Sequence, residues 1–127
     1  MIDKEKEIYA EVSQKLREKF PKIYVVGTEI AQGQSKFPAV SFVQTNNSVV
    51  SQHSTFNSLE NVVKEEYKAE VFSNLTKGKE TQTKEITKVI SDVMCEFGYE
   101  RTFCEPIPNA DATISRRMSR YRKNNVI

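Results

Sequence analysis

The sequence predicts an α+β fold: an antiparallel sheet of four to five strands with two helices packed on one face, in the order α-β-β-β-α-β-β. Three observations carry this. The 22 Val and Ile residues far outnumber the 3 Leu, and side chains branched at Cβ suit a pleated strand better than a helix. Residues 62–73 alternate apolar and charged, the mark of a half-buried strand. Residues 86–97 carry apolar side chains at helical spacing, Ile86, Val89, Ile90, Val93, Met94 and Phe97.

Each element follows from a local pattern. Ile2, Tyr9, Val12, Leu16 and Phe20 recur at helical spacing, and Pro21 cannot continue that helix. Residues 23–26 read as a short strand, apolar towards both sides, so both of its faces are expected to be covered, Val26 included. A polar loop over 27–36 leads through Phe37 and Pro38 to a strand over 39–45. Val40 and Phe42 share one of its faces. Ala39, Ser41 and Val43 share the other, which is apolar enough to suggest a partner.

Residues 46–61 are rich in Ser and Asn and show little periodicity, so they read as a long loop. Val49, Val50, Phe56 and Leu59 within it are wasted on solvent unless something covers them. The loop is expected to order on assembly; a hairpin packed on the same subunit is the alternative. In the next strand Val63, Tyr67, Ala69 and Val71 face inward, while Lys64, Glu66, Lys68 and Glu70 face outward. Gly98 is placed to end the second helix, with Cys95 on its polar side. A strand through Tyr99, Phe103 and Ile107 is expected to be broken by Pro106 and Pro108. After a turn at Asn109 and Asp111, the last strand runs from Ala112 to about Lys123. Ile114, Arg116, Met118 and Arg120 share one of its faces, and Thr113, Ser115, Ser119 and Tyr121 the other.

At 127 residues the chain has room for one domain, spanning 1–127. No apolar run approaches the ~20 residues that cross a bilayer. The charged first residues lack the apolar core of a signal peptide, which points to a cytoplasmic start. Cys95 and Cys104 form no CxxC pattern and read as free thiols, with no metal site. His53 is the single histidine and lies in the long loop, with no nucleophile pattern near it. Neither GxxxxGK[ST] nor GxGxxG occurs. Glu65 and Glu66 are adjacent, so a strand sends them to opposite faces and they cannot pair as catalytic carboxylates. No catalytic, cofactor-binding or metal-binding residue is expected, and the chain does not read as an enzyme.

The sharpest local feature is the basic strand with Arg116, Arg117, Arg120, Arg122 and Lys123, in a chain whose net charge is only +2. It suits contact with an acidic surface of a neighbouring subunit. Charge that keeps an edge strand soluble, and phosphate contact with Tyr121 stacking on bases, are the other readings. Reversing Arg116 and Arg120 is expected to leave the fold intact.

Several segments, taken in order, resemble the tail terminator (tail completion) proteins of long-tailed bacteriophages. They are Phe37-Pro38-Ala39-Val40, then Tyr67 to Phe72 with Ser73-Asn74, Gly78-Lys79, and the helix to Met94. Phe97-Gly98-Tyr99-Glu100-Arg101 follows. Last comes Asn109-Ala110-Asp111-Ala112-Thr113-Ile114-Ser115-Arg116-Arg117 with Arg120-Tyr121. Together they cover most of the chain from Phe37 onward. The resemblance implies a structural virion protein forming a hexameric ring at the head-proximal end of the tail tube. There it would stop tube polymerisation and join tail to head. It would sit in the virion after assembly in the host cytoplasm. Its implied partners are further copies of itself, the tail tube protein and the head–tail connector protein, with no membrane contact and nucleic acid only as DNA passing through. Val26, Val43, Val49, Val50, Phe56, Arg116, Arg117, Arg120 and Arg122 are the expected subunit-interface residues. A head-closure or neck adaptor of the same machine, and a small nucleic-acid-binding protein using the Arg-rich strand, are the alternatives.

Overall fold

A computed structural model describes residues 4–28, 36–49, 62–108 and 111–126. The element order is α1 (Glu5–Lys19), β1 (Tyr24–Val26), β2 (Ala39–Val49), β3 (Val62–Ser73), α2 (Lys79–Glu96), β4 (Glu100–Ile107) and β5 (Ser115–Val126). This is the α+β order expected, with both helices on one side of a five-stranded sheet.

Helix α1 buries Ile8, Val12 and Leu16, one stripe at helical spacing, with Ser13 beside them. Glu5 and Glu7 in its first turn and Arg17 and Lys19 in its last complement the helix dipole. Its final turn closes when the Phe20 N–H donates to Leu16 O at 2.8 Å, and Pro21 follows. Helix α2 buries Ile86, Val89, Ile90, Val93 and Met94. Fully burying such a side chain contributes about 1.5–3 kcal/mol, so this stripe is a main anchor of the helix layer. The helix ends as Gly98 predicts: Gly98 adopts φ +86°, its N–H donates to Cys95 O, and the Tyr99 N–H reaches back to Met94 O, both at 2.9 Å.

The strand order is β1-β2-β3-β5-β4. All neighbours are antiparallel except β1 and β2, which run parallel. About a dozen residues separate those two strands, enough for the crossover that a parallel pair requires. Between sheet and helices lie Val25, Val40, Phe42, Tyr67, Ala69, Val71 and Tyr121. Tyr67 stacks on Phe42 with ring centroids 5.2 Å apart and meets Tyr99 edge-on at 5.4 Å. The Tyr121 hydroxyl and Ser91 Oγ share a 2.7 Å hydrogen bond that ties β5 to α2.

Four expectations are corrected. Strand β2 does not stop at Thr45 but continues to Val49, bulging between Gln44 and Asn46. The first part of the expected loop is therefore strand, and residues 50–61 lie outside the described residues. Pro106 does not break β4, which runs through it to Ile107. As an edge strand, β4 can turn a position without an N–H outward. Strand β5 begins at Ser115 instead of Ala112, because the preceding residues form a turn in which Asp111 Oδ1 accepts from Thr113 N at 2.9 Å. In β1 only Val25 is buried; Tyr24 and Val26 are half-buried, so its two faces are not equally covered.

Candidate functional site

With both helices on one side, the other face of the sheet carries Tyr24 and Val26 (β1), Ser41 and Val43 (β2), Lys64 to Phe72 at alternate positions (β3), Arg116, Met118, Arg120 and Arg122 (β5), and Phe103, Glu105 and Ile107 (β4). Val26, Val43, Phe103, Ile107 and Met118 are all half-buried there. No described helix covers this face. The mixture of apolar side chains and arginine is the composition of a contact surface.

The register decides which arginines are available. Residues 116, 118, 120 and 122 share the open face, while Arg117 lies on the helix side opposite Pro106. Its Nη1 approaches Cys104 Sγ at 3.9 Å. The expected basic set is therefore split between the two faces. Arg116 is committed within the subunit. Its Nε donates to Glu70 Oε2 at 2.6 Å, a second guanidinium nitrogen pairs with the same oxygen, and the group lies 5.5 Å from the Phe72 ring centre. Lys68 Nζ holds the other Glu70 oxygen at 3.1 Å. Arg122 Nε lies 3.6 Å from Glu100 Oε2 on β4. Arg120 is exposed, stands opposite Lys68 and Phe103, and has no ion pair among the described residues. It is the cation best placed to meet another molecule.

Glu70 is only 2% exposed although it lies on the open face. Burial pushes its carboxyl up, but hydrogen bonds from Arg116 and Lys68, with their charges, outweigh this and hold it below the usual carboxylate range. A depressed folded-state value means that the ion pair stabilises the fold above the unfolded value of 4.5. That contribution is lost as pH falls through the folded value. The Glu70→Gln variant is expected to lose less stability than the parent on moving from neutral pH to below 4.5. Urea titrations at the two pH values check this, and equal losses in both proteins would remove Glu70 from the acid response.

Val26 and Val43 are placed on the open face as expected. The side chain of Val49, and Val50, Phe56 and His53 entirely, lie outside the described residues. Cys95 is exposed on α2 and Cys104 is half-buried. Glu65 and Glu66 do point to opposite faces, Glu66 pairing with Lys64 at 3.2 Å. Sequence reasoning passed over Glu65 itself, which is fully buried on the helix side and accepts a 2.7 Å hydrogen bond from the Tyr99 hydroxyl. Its phase was the available signal, since it falls in step with Val63 and Tyr67. Nearby, Lys123 Nζ donates to Phe97 O at 2.6 Å and lies 5.7 Å from the Tyr99 ring centre. Among the described residues, no three His, Cys, Asp or Glu side chains gather where they would share an ion.

No protein-family model matches the chain, and no curated protein matches it.

Proposed function

We propose that this chain is a structural virion subunit that assembles into a six-membered ring at the head-proximal end of a phage tail tube. There it ends tube polymerisation and joins the tail to the head connector. The ordered segments that resemble tail terminator proteins support this reading. In the fold they open β2, close β3, begin α2, turn from α2 into β4, and enter β5. The observation that carries it is the sheet face that no described helix covers, which holds half-buried Val26, Val43, Phe103 and Met118 together with Arg120, exposed and without an ion pair among the described residues. A ring needs a heterologous interface that closes on itself, and such a face supplies one half of it. The chain works by assembly, without cofactor or catalysis, in the host cytoplasm and then in the virion.

Electron microscopy of the purified protein, alone and with tail tubes, is expected to show six-fold rings capping the tubes. Particles that lack the protein, or hold a single copy, would sink the proposal. The nucleic-acid reading is less favoured because Arg116 and Arg122 already face Glu70 and Glu100. A phosphate binder of this charge would show micromolar affinity with steep salt dependence. That result on duplex DNA, abolished by Arg120→Glu, would reverse the preference.

The thiols are expected to be dispensable. Replacing both Cys95 and Cys104 by serine should shift stability by no more than about 1 kcal/mol, as for changes away from the core, and leave ring formation intact. Loss of rings at unchanged thermal stability would point to a redox role.

A further inference from the structure

The sheet ends in a three-stranded tip, made by residues 46–49 of β2, 62–65 of β3 and 123–126 of β5. β1 flanks β2 only along residues 39–41, and β4 flanks β5 only as far as Arg122. Beyond those points no described strand lies beside either outer edge of the tip. The unflanked stretch of β2 begins earlier, at Phe42, and that of β5 at Lys123, and β3 runs between them.

Natural sheets protect such edges with charge, proline or bulges. β4 follows that rule: it carries Glu100, Arg101, Glu105 and Pro106, and its register shifts between Arg101 and Phe103. β2 follows it only in part: it bulges between Gln44 and Asn46, but AVSFVQTNNSV contains neither a charged residue nor a proline, and residues 46–49 carry none of these protections. On the other side, β5 brings Arg122 and Lys123 to the base of its free edge. Two β5 edges would repel each other, whereas β5 against the uncharged β2 edge carries no such penalty.

We propose that the tip forms part of the subunit–subunit contact, beside the face around Arg120: the β2 edge of one copy pairs with the β5 edge of the next, continuing the sheet from subunit to subunit. β2 and β5 are both antiparallel to β3, so rotation about an axis along the strands brings them together in parallel. The contact is heterologous and closes into a ring. β4 occupies the lane beside β5 below Arg122, so the pairing is confined to the tip. The bulge between Gln44 and Asn46 bends β2 where the tip begins, letting the body of each subunit splay away from its neighbour. The inference rests on the ring reading above and specifies where the ring is sewn together.

Ser48 and Asn124 are both exposed, and both pair with Lys64. They therefore lie on one face, two strand spacings apart, roughly 9–10 Å within a subunit. A disulfide requires Cα atoms within about 7 Å, so cysteines at these positions can join only across subunits. The test uses a Cys95→Ser, Cys104→Ser background carrying Ser48→Cys and Asn124→Cys together or singly, with melts to verify folding. The protein is concentrated and oxidised with copper–phenanthroline. The expected result is a ladder of linked species, ending at the ring number, only when both cysteines are present. Oligomers by light scattering without a ladder would overturn the tip contact and leave the ring reading standing. A linked dimer from Ser48→Cys alone would overturn it in favour of β2 pairing with β2. Monomer at every concentration, with no linked species, would also overturn it, while imaging of particles judges the ring separately.

Discussion

Replacing Tyr67 with alanine is expected to destabilise the fold by about 3–5 kcal/mol, the range for removing a large aromatic side chain from a packed core. Tyr67 lies on the central strand, fully buried. Its ring contacts Phe42 from β2 and Tyr99 from the α2–β4 turn. Its loss opens a cavity where three parts of the chain converge, and α2 prevents the sheet from collapsing into it. The hydroxyl matters much less. It accepts a 3.3 Å hydrogen bond from Gln44 Nε2, so Tyr67→Phe should cost about 1 kcal/mol or less. Urea unfolding of the two variants measures both numbers. Comparable losses would mean that the polar link, and not the ring, holds the site together.

Reversing charge on the basic strand is expected to have two distinct consequences, and this revises the sequence-based expectation that Arg116 and Arg120 behave alike. Arg116→Glu sets a second carboxylate beside Glu70, which is buried and depends on the guanidinium. Breaking such a pair costs about 3–5 kcal/mol, so this variant should be poorly folded. Arg120→Glu changes an exposed side chain with no ion pair among the described residues. It should shift stability by no more than about 0.5 kcal/mol. Its effect should fall on assembly, weakening it at least tenfold, or about 1.4 kcal/mol. Thermal melts and ring counts separate the two. If Arg120→Glu assembles normally, the open face around it is not part of the contact.

The helices and the central strand were legible because their signals are periodic and local. Ile86 to Met94 and Val63 to Val71 each repeat on the period of the element they form. Strand β2 was not legible past Thr45, because Asn46, Asn47 and Ser48 have poor intrinsic strand preference. They are held in the sheet by pairing with Glu66, Glu65 and Lys64, a tertiary effect that outweighs local propensity. Pro106 misled for the converse reason: proline excludes a central strand, and only the strand order reveals β4 as an edge. The face shared by Arg116 and Arg120 could be read from alternation alone. That Glu70 captures Arg116 could not, since it depends on the register between strands far apart in the chain.

The position of β5 also dictates when this fold can exist. The last strand in sequence order is inserted between β3 and β4, so β4 is synthesised before its neighbour among the described strands. The helices and β1 to β3 can begin to pack early, but β4 has no partner among the described strands until β5 threads in beside β3. Completion of the sheet thus waits on contacts between distant segments, which form more slowly than the local contacts of the helices. A ribosome that has not yet made β5 therefore holds an incomplete sheet, in which one flank of β3 has no described strand beside it.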